Sequence, residues 1–292
     1  MSEQATVLTQ KHIARLIPKR PRDSHKGLFG TVVVIGGKRG MVGAPLMAAR
    51  AALKLGAGCV HVGLLADNAP GVDLLQPELM LHPASDALRL PGANVLAIGC
   101  GMGTDLVAHK ILYDALHSTA ALVLDADALN ILAARPDFRS QLSARKAATV
   151  LTPHPGEAAR LLACEIADVQ ANRNPAAEEL RKRFHSSVVL KGADSVCATR
   201  DGKLFVNKTG NPGMSAAGMG DVLTGMIAAW LAQLLDAEAA CKLAVYLHGM
   251  AGDLAEADEG EVAMTSADVA GHIGDAILEL TARKRVERAS TS

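Results

Sequence analysis

Along this chain, short unbroken apolar runs alternate with longer stretches in which apolar residues recur every three to four positions. Thr31–Ile35, Cys59–Leu64, Val95–Ile98, Leu122–Leu124, Thr149–Leu151 and Val188–Leu190 are runs of the first kind. A strand covered on both faces reads this way, because neither side of its pleat meets water. Between the runs, helices are predicted at about Gly43–Leu55, Asp105–His117, Ala128–Ala134 and 175–185. Another can open at Pro155, since proline suits the first helical position. Gly56 is placed to stop the first helix and Asp105 to cap the second. Val222, Leu223, Met226, Ile227, Trp230, Leu231 and Leu234 share one face of a later helix, and residues 237–257 and 266–281 give two more. Repeated strand–helix order predicts an α/β fold: a three-layer, doubly wound, mostly parallel sheet flanked by helices. Asp201-Gly202, between Ser195–Thr199 and Leu204–Val206, signals an antiparallel hairpin near one sheet edge.

This pattern divides the chain into three parts. Residues 1–26 read as a helix and a basic connector, Pro18–Arg22. Residues 27–282 read as a single domain, and residues 283–292 as a tail that frays. No internal repeat or low-complexity tract interrupts the domain.

Composition narrows the function. The 292 residues are 49% hydrophobic and 21% charged, enough apolar material for a large core. Thirty basic and thirty acidic residues cancel, which argues against a broad electrostatic grip on nucleic acid. One Trp, two Tyr and four Phe are too few for a base-stacking platform. No apolar run reaches membrane-spanning length, and the charged N-terminus does not resemble a signal peptide. The five cysteines (59, 100, 164, 197 and 241) are far apart and odd in number, as expected of free thiols in a reducing compartment. A cytoplasmic location is therefore expected.

Ligands of open α/β sheets bind at the carboxyl ends of the strands, and four loops stand there. Gly36–Pro45 is glycine-rich without closing as a Walker loop. Gly99–Asp105 is half of a dinucleotide or methyl-donor loop without the full glycine spacing, with Asp125 at the end of the next strand. Thr152–Glu157 brackets His154 between two prolines; the ring is either a donor to an anionic or carbonyl group or a structural residue. Gly210–Asp221 carries the most information. Its glycines precede a helix, where unpaired N–H groups and the helix dipole favour a phosphate. Asp221, in the first turn, serves either as a cap or as a general base aimed at a hydroxyl that attacks phosphorus.

Gly218-Met-Gly-Asp221 resembles the anion hole and catalytic aspartate of the ribokinase-like superfamily. Further segments narrow the resemblance: Val34-Ile-Gly-Gly37, Gly43-Ala-Pro45, Asn94-Val-Leu-Ala-Ile-Gly99, Val123-Leu-Asp-Ala-Asp-Ala-Leu129, Leu151-Thr-Pro-His-Pro-Gly-Glu157 and Val189-Leu-Lys-Gly-Ala-Asp-Ser195. In this order, over about residues 27–280, they are similar to the ADP-dependent NAD(P)H-hydrate dehydratases. The resemblance implies a ribokinase-like fold and repair of hydrated NADH or NADPH, NAD(P)HX. The S form would be dehydrated at the expense of ADP or ATP, releasing AMP and phosphate from ADP. It further implies that the hydrate is contacted at Ala44, Gly103, His154 and Asp221. The nucleotide would lie along Lys191, Gly192, Ala193, Asp194 and Ser195 and at Gly220. Asp221 would act as base, beside the amides of Gly218 to Gly220. Mg2+ is expected, with Asp125 and Asp127 the nearest residues to orient it, although both also suit helix capping. Homotetramers are common in the family, and an epimerase domain is sometimes fused to it; here epimerisation is expected of a separate chain. Ala217 stands where relatives often have glycine. Three other readings compete: a superfamily kinase acting on a vitamin-like alcohol, a nucleotide sensor without turnover, and a methyl-donor enzyme built on Gly99–Gly103. A stable phosphate ester as product would mark the first of these.

Overall fold

The computed structural model describes residues 5–289. The chain runs β1 (Thr6–Val7), α1 (Gln10–Ala14), β2 (Thr31–Gly36), α2 (Gly43–Lys54), β3 (Cys59–Leu64), β4 (Met80–Pro83), α3 (Ala84–Ala87), β5 (Val95–Ile98), α4 (Leu106–Leu116), β6 (Ala121–Leu124), α5 (Ala126–Ala134) and α6 (Pro136–Ser143). It continues through β7 (Thr149–Leu151), α7 (Pro155–Leu162), α8 (Ile166–Ala171), α9 (Arg173–Phe184), β8 (Ser187–Leu190), β9 (Val196–Ala198), β10 (Leu204–Val206), α10 (Met219–Ala232), α11 (Ala237–Glu259), α12 (Ser266–Gly271) and α13 (Ile273–Ala289).

All ten strands join one sheet in the order β1-β10-β9-β8-β7-β6-β5-β2-β3-β4. From β4 across to β8 every pairing is parallel, and β9 is antiparallel to both β8 and β10. The expected hairpin is therefore present, and β1 pairs parallel to β10 beyond it.

The unbroken apolar runs are explained by two cores. Val32 and Val34 of β2 face a core shared with α2, α10 and α11, while Val33 and Ile35 face one shared with α4, α5, α7 and α9. Val95 and Ala97 of β5 alternate in the same way with Leu96 and Ile98. A strand with helices on both faces has no polar side to display.

Several elements depart from the sequence expectation. The N-terminal segment holds, besides the five-residue helix, a two-residue strand that the sequence did not announce. The stretch expected as a helix over 266–281 divides at His272 into α12 and α13. The expected tail, residues 283–292, overlaps the end of α13 at Ala289, and residues 290–292 lie outside the described part.

Two features fix the functional end of the sheet. After β4 the chain crosses back over β2 to lay down β5 on its other side, so the strand order reverses between β2 and β5. The crevice outside the carboxyl ends at such a reversal is the natural ligand position. There α10 crosses α2 closely: a Cβ on Gly225 would lie 1.8 Å from the Ala48 carbonyl oxygen. That contact brings the N-terminus of α10 to the reversal point.

Candidate active site

The floor is built where the loops after β5, β6 and β8 meet the first turn of α10. Asp125, the residue after β6, is buried to 1% exposure. Its Oδ1 accepts from the Lys191 ammonium at 2.6 Å and from the Ala126 amide at 2.9 Å. Its Oδ2 accepts from the Thr224 hydroxyl at 2.8 Å, joining residues 99 positions apart. Ala126 takes φ +48°, a left-handed conformation unusual for a residue with a Cβ. Gly99 makes room opposite: at φ +126°, a Cβ there would lie 1.9 Å from the Asp125 carbonyl oxygen.

Asp221 approaches this pair from α10. Ligand atoms of Asp221, Asp125 and Cys100 all lie within 4.8 Å of one another. Burial raises the Asp221 carboxyl, the neighbouring Asp125 and Glu157 carboxylates raise it further, and a Cys100 hydrogen bond and Lys191 draw it back; it ends at about 6. The Cys100 thiol is fully buried, and burial with the two aspartates pushes it well above the ordinary thiol range. It therefore stays protonated and donates. Burial would lower Lys191, but Asp125 and Glu157 outweigh it and the ammonium is held.

Gly218 is the N-cap of α10 at φ +88°. A Cβ there would meet the Ser266 hydroxyl oxygen at 2.4 Å and Met47 sulfur at 2.6 Å. A Cβ on Gly220 would lie 3.1 Å from Lys191 Nζ. These glycines leave the helix N-terminus bare beside a lysine, as an anion site needs.

His154 is more engaged than expected. Its Nδ1 accepts from the amides of Gly156 and Glu157, capping α7, while Glu157 Oε2 accepts from the His154 amide at 2.8 Å. With Nδ1 an acceptor, the neutral ring carries its proton on Nε2, which faces Glu157 Oε1 at 3.2 Å. The Lys191–Ser195 loop begins with the Lys191 amide bonded to the Pro153 carbonyl at 2.8 Å, which ties it to the histidine loop. Asp194 sits at φ +57° and pairs with Lys208; Ser195 Oγ donates to the Gly192 carbonyl.

A cavity of about 690 Å³ joins these parts. Asp125, His154, Glu157, Lys191 through Ser195, Gly220 and Asp221 all line it. Ala44 and Gly103 are not on its wall. They stand in the adjoining β2–β5 loop cluster: Ala44 is buried near Gly101, and the Gly103 amide donates to Asp127 Oδ2 at 2.7 Å. Cys100 links the two groups, because its carbonyl accepts from Gly37 while its thiol reaches Asp221. Ala217 is exposed and is not on the wall of this cavity.

Asp125, beside Asp221, accepts from Lys191, Ala126 and Thr224, and Asp127 accepts from Gly103 and Asn130, which leaves each carboxylate a free lone pair to orient a hydrated magnesium ion. The third group nearby is a protonated thiol, not an oxygen ligand.

Sequence inspection missed Thr224, His248 and Asn211. Thr224 reads as one more residue of an apolar helix. His248 is buried on α11, held neutral by desolvation at about 4, and lines the cavity with Nε2 unpartnered. Asn211 Oδ1 is likewise buried without a partner on the same wall. The polar residues flanking Gly210 were the one available signal for that wall.

A family model described as NAD(P)H-hydrate dehydratase matches residues 32–274. The ADP-dependent (S)-NAD(P)H-hydrate dehydratase of Neisseria meningitidis is 41% identical over 263 residues, 89% of this chain and 88% of that protein. The bifunctional NAD(P)H-hydrate repair enzyme Nnr of Coxiella burnetii is 40% identical over 271 residues, 91% of this chain and 54% of that protein. This chain thus spans about half the length of that bifunctional relative. Among solved structures, the Bacillus subtilis ADP/ATP-dependent NAD(P)H-hydrate dehydratase co-crystallised with ATP/Mg2+ superposes with a TM-score of 0.82 at 28% identity, covering 96% of this chain and 99% of that one. A hydroxyethylthiazole kinase from Pyrococcus horikoshii shares the fold, with a TM-score of 0.60 at 17% identity, 91% of this chain and 92% of that one.

Proposed function

The chain belongs to the NAD(P)H-hydrate dehydratase family, and from that premise we propose that it converts the S form of hydrated NADH or NADPH back to the dihydronicotinamide. ADP is the proposed co-substrate, with ATP as the variant, and AMP and phosphate leave when ADP is used. The observation that carries this reading is Asp221: a carboxylate raised to about 6, in the first turn of a glycine-capped helix, on the wall of a cavity shared with Lys191. A base poised near neutrality and aimed at an anion site suits deprotonation of a hydroxyl that attacks phosphorus.

The chemistry explains why a kinase-like site would serve a lyase. Hydroxide leaves badly, since water's pKa is ~15.7. Phosphate leaves well, with a second pKa of ~6. Asp221 takes the proton of the C6 hydroxyl as its oxygen bonds to the terminal phosphorus of the nucleotide, whose bridging P–O bond breaks. The ring nitrogen lone pair then expels phosphate from C6, and loss of a C5 proton restores the double bond. In this reading the amides of Gly218 to Gly220 stabilise the transferred phosphoryl group. The nucleotide lies along Lys191, Gly192, Ala193, Asp194 and Ser195 and at Gly220, and the hydrate meets Ala44, Gly103, His154 and Asp221. Mg2+, when bound, would neutralise charge on the phosphates, and Asp125 and Asp127 are the residues that would orient it.

The reaction is proposed for the cytoplasm, in a homotetramer, on the S form that an epimerase supplies. Among the described residues no helix is long and apolar enough to cross a membrane. The test is to incubate purified protein with the hydrate, Mg2+ and ADP, and to follow dihydronicotinamide absorbance together with phosphate release. Recovery with equal phosphate release supports the reading. No recovery with ADP or ATP defeats it, and a stable phosphate ester would assign a kinase instead.

A further inference from the structure

A second cavity, also of about 690 Å³, opens at the carboxyl ends of β3 and β4. Its volume is in the range of small-molecule sites. Leu65, Leu81, Leu88 and Val107 contribute aliphatic walls. At its mouth the first turn of α4 exposes Leu106 to 85% and Val107 to 60%, an apolar display that the fold does not use. Lys110 and Asp114 satisfy each other on the same wall. Arg89 and Asp67 line the cavity, and among the described residues neither has an ion pair or a side-chain hydrogen bond.

The position of this cavity relative to Asp221 is set by the sheet. From β6, which Asp125 follows directly, it is three strand spacings to β3 and four to β4, about 14–19 Å at the usual inter-strand distance. That is the scale on which an extended pyrophosphate-linked dinucleotide separates its two ring systems. The route between is marked as well. Lys38 stands on the loop after β2, the strand midway along this path, and a Cβ on Gly103 would lie 3.0 Å from its side chain. Lys38 pairs with Asp105, immediately before the helix that presents Leu106 and Val107.

We infer that this second cavity receives the adenosine half of the hydrated dinucleotide, with Arg89 reading the 2′-phosphate that distinguishes NADPHX from NADHX. The inference rests on the dehydratase reading and extends it to the part of the substrate that does not react. The aliphatic walls suit a purine face, the pyrophosphate passes Lys38, and unpaired Arg89 is the free cation a phosphate needs.

The experiment compares S-NADPHX, S-NADHX and the hydrate of reduced nicotinamide mononucleotide, which lacks adenosine. With wild type, the mononucleotide hydrate should have a KM at least about tenfold above that of NADHX. Ser85→Trp, an exposed position lining the cavity, should raise KM about tenfold for both dinucleotides while leaving the mononucleotide hydrate and ADP unchanged. Arg89→Ala should raise KM about tenfold for NADPHX alone. The inference is overturned if wild type handles long and short hydrates equally, or if a Ser85→Trp enzyme active on the short hydrate keeps wild-type KM on the long ones. If Ser85→Trp loses the short hydrate too, Arg89→Ala decides, and a KM for NADPHX unchanged from wild type overturns the proposal. Should wild type dehydrate none of them, the reaction reading falls. The cavity is then judged by calorimetric binding of NADPH, which Arg89→Ala should weaken about tenfold and which, if unchanged, overturns it.

Discussion

Replacing Asp221 by asparagine separates two consequences of its burial. As the proposed base it should be indispensable, and loss of general-base action should lower kcat by about 10²–10⁴-fold. As a charge in a partly desolvated site it should also cost stability. Moving a carboxyl from the ordinary 3.8 to about 6 corresponds to at most about 3 kcal/mol. The sign follows from proton counting. Below about pH 3.8 the acid is protonated in folded and unfolded chains alike, and its burial costs nothing. Between there and about 6 the unfolded chain releases a proton that the folded one keeps, so wild-type stability falls as pH rises. Above about 6 the penalty is complete. Asparagine does not titrate, so Asp221→Asn should gain on wild type as pH rises from about 4 to about 6 and hold a constant lead beyond.

Urea unfolding at a series of pH values measures this. Trp230, the one tryptophan and 3% exposed on α10, reports it through its emission. The same preparations give the activity loss, and wild-type kcat/KM should fall as pH drops through about 6. A stability difference that ignores pH would refute the burial argument, and a fully active asparagine variant would remove Asp221 from the chemistry.

Glu157→Gln keeps the hydrogen-bonding shape of the α7 cap but removes one negative neighbour of Asp221, so the acid limb of kcat/KM should move to lower pH; an unmoved limb counts against that coupling. Lys191→Met leaves the buried Asp125 carboxylate without its cation, and denaturant unfolding should show a loss of about 3–5 kcal/mol. Gly218→Ala places a Cβ 2.4 Å from the Ser266 hydroxyl at a left-handed φ, which should cost about 1–3 kcal/mol in the same assay. Because that shift also displaces the phosphoryl cradle, its kcat should fall by up to about a hundredfold.

How far the sequence speaks depends on whether a feature is local. The central strands were legible because burial on both faces erases polar alternation, as the opposed placement of Val33 and Val34 shows. The Asp105 and Pro155 helix starts were legible because caps act within one turn. β4 was hidden: His82 and Pro83 do not read as a buried strand, and β4 lies at the sheet edge, where they are tolerated. The break at His272 was equally hidden, since the apolar spacing of the two helices continues across it. In the site, Gly218–Asp221 and Lys191 announced themselves through short motifs. Thr224 did not, because its function is to bond a carboxylate 99 residues away, and only the fold creates that neighbour.

The poise of Asp221 therefore belongs to the cluster more than to the residue. Three carboxylates, Asp125, Glu157 and Asp221, share one lysine. Were Lys191 bonded directly to Asp221, the acid would be held nearer its ordinary value and would be a weaker base. Instead Lys191 bonds Asp125 at 2.6 Å, and Thr224 occupies the other Asp125 oxygen, so that carboxylate cannot turn away. Its charge is largely cancelled, and what reaches Asp221 is burial plus a residual repulsion. Among the described residues, the side-chain donor left to Asp221 is the Cys100 thiol, a weak one kept neutral by its own burial. A carboxylate with so light a hold retains the capacity to take a proton from a hydroxyl, which is the property the proposed reaction asks of it.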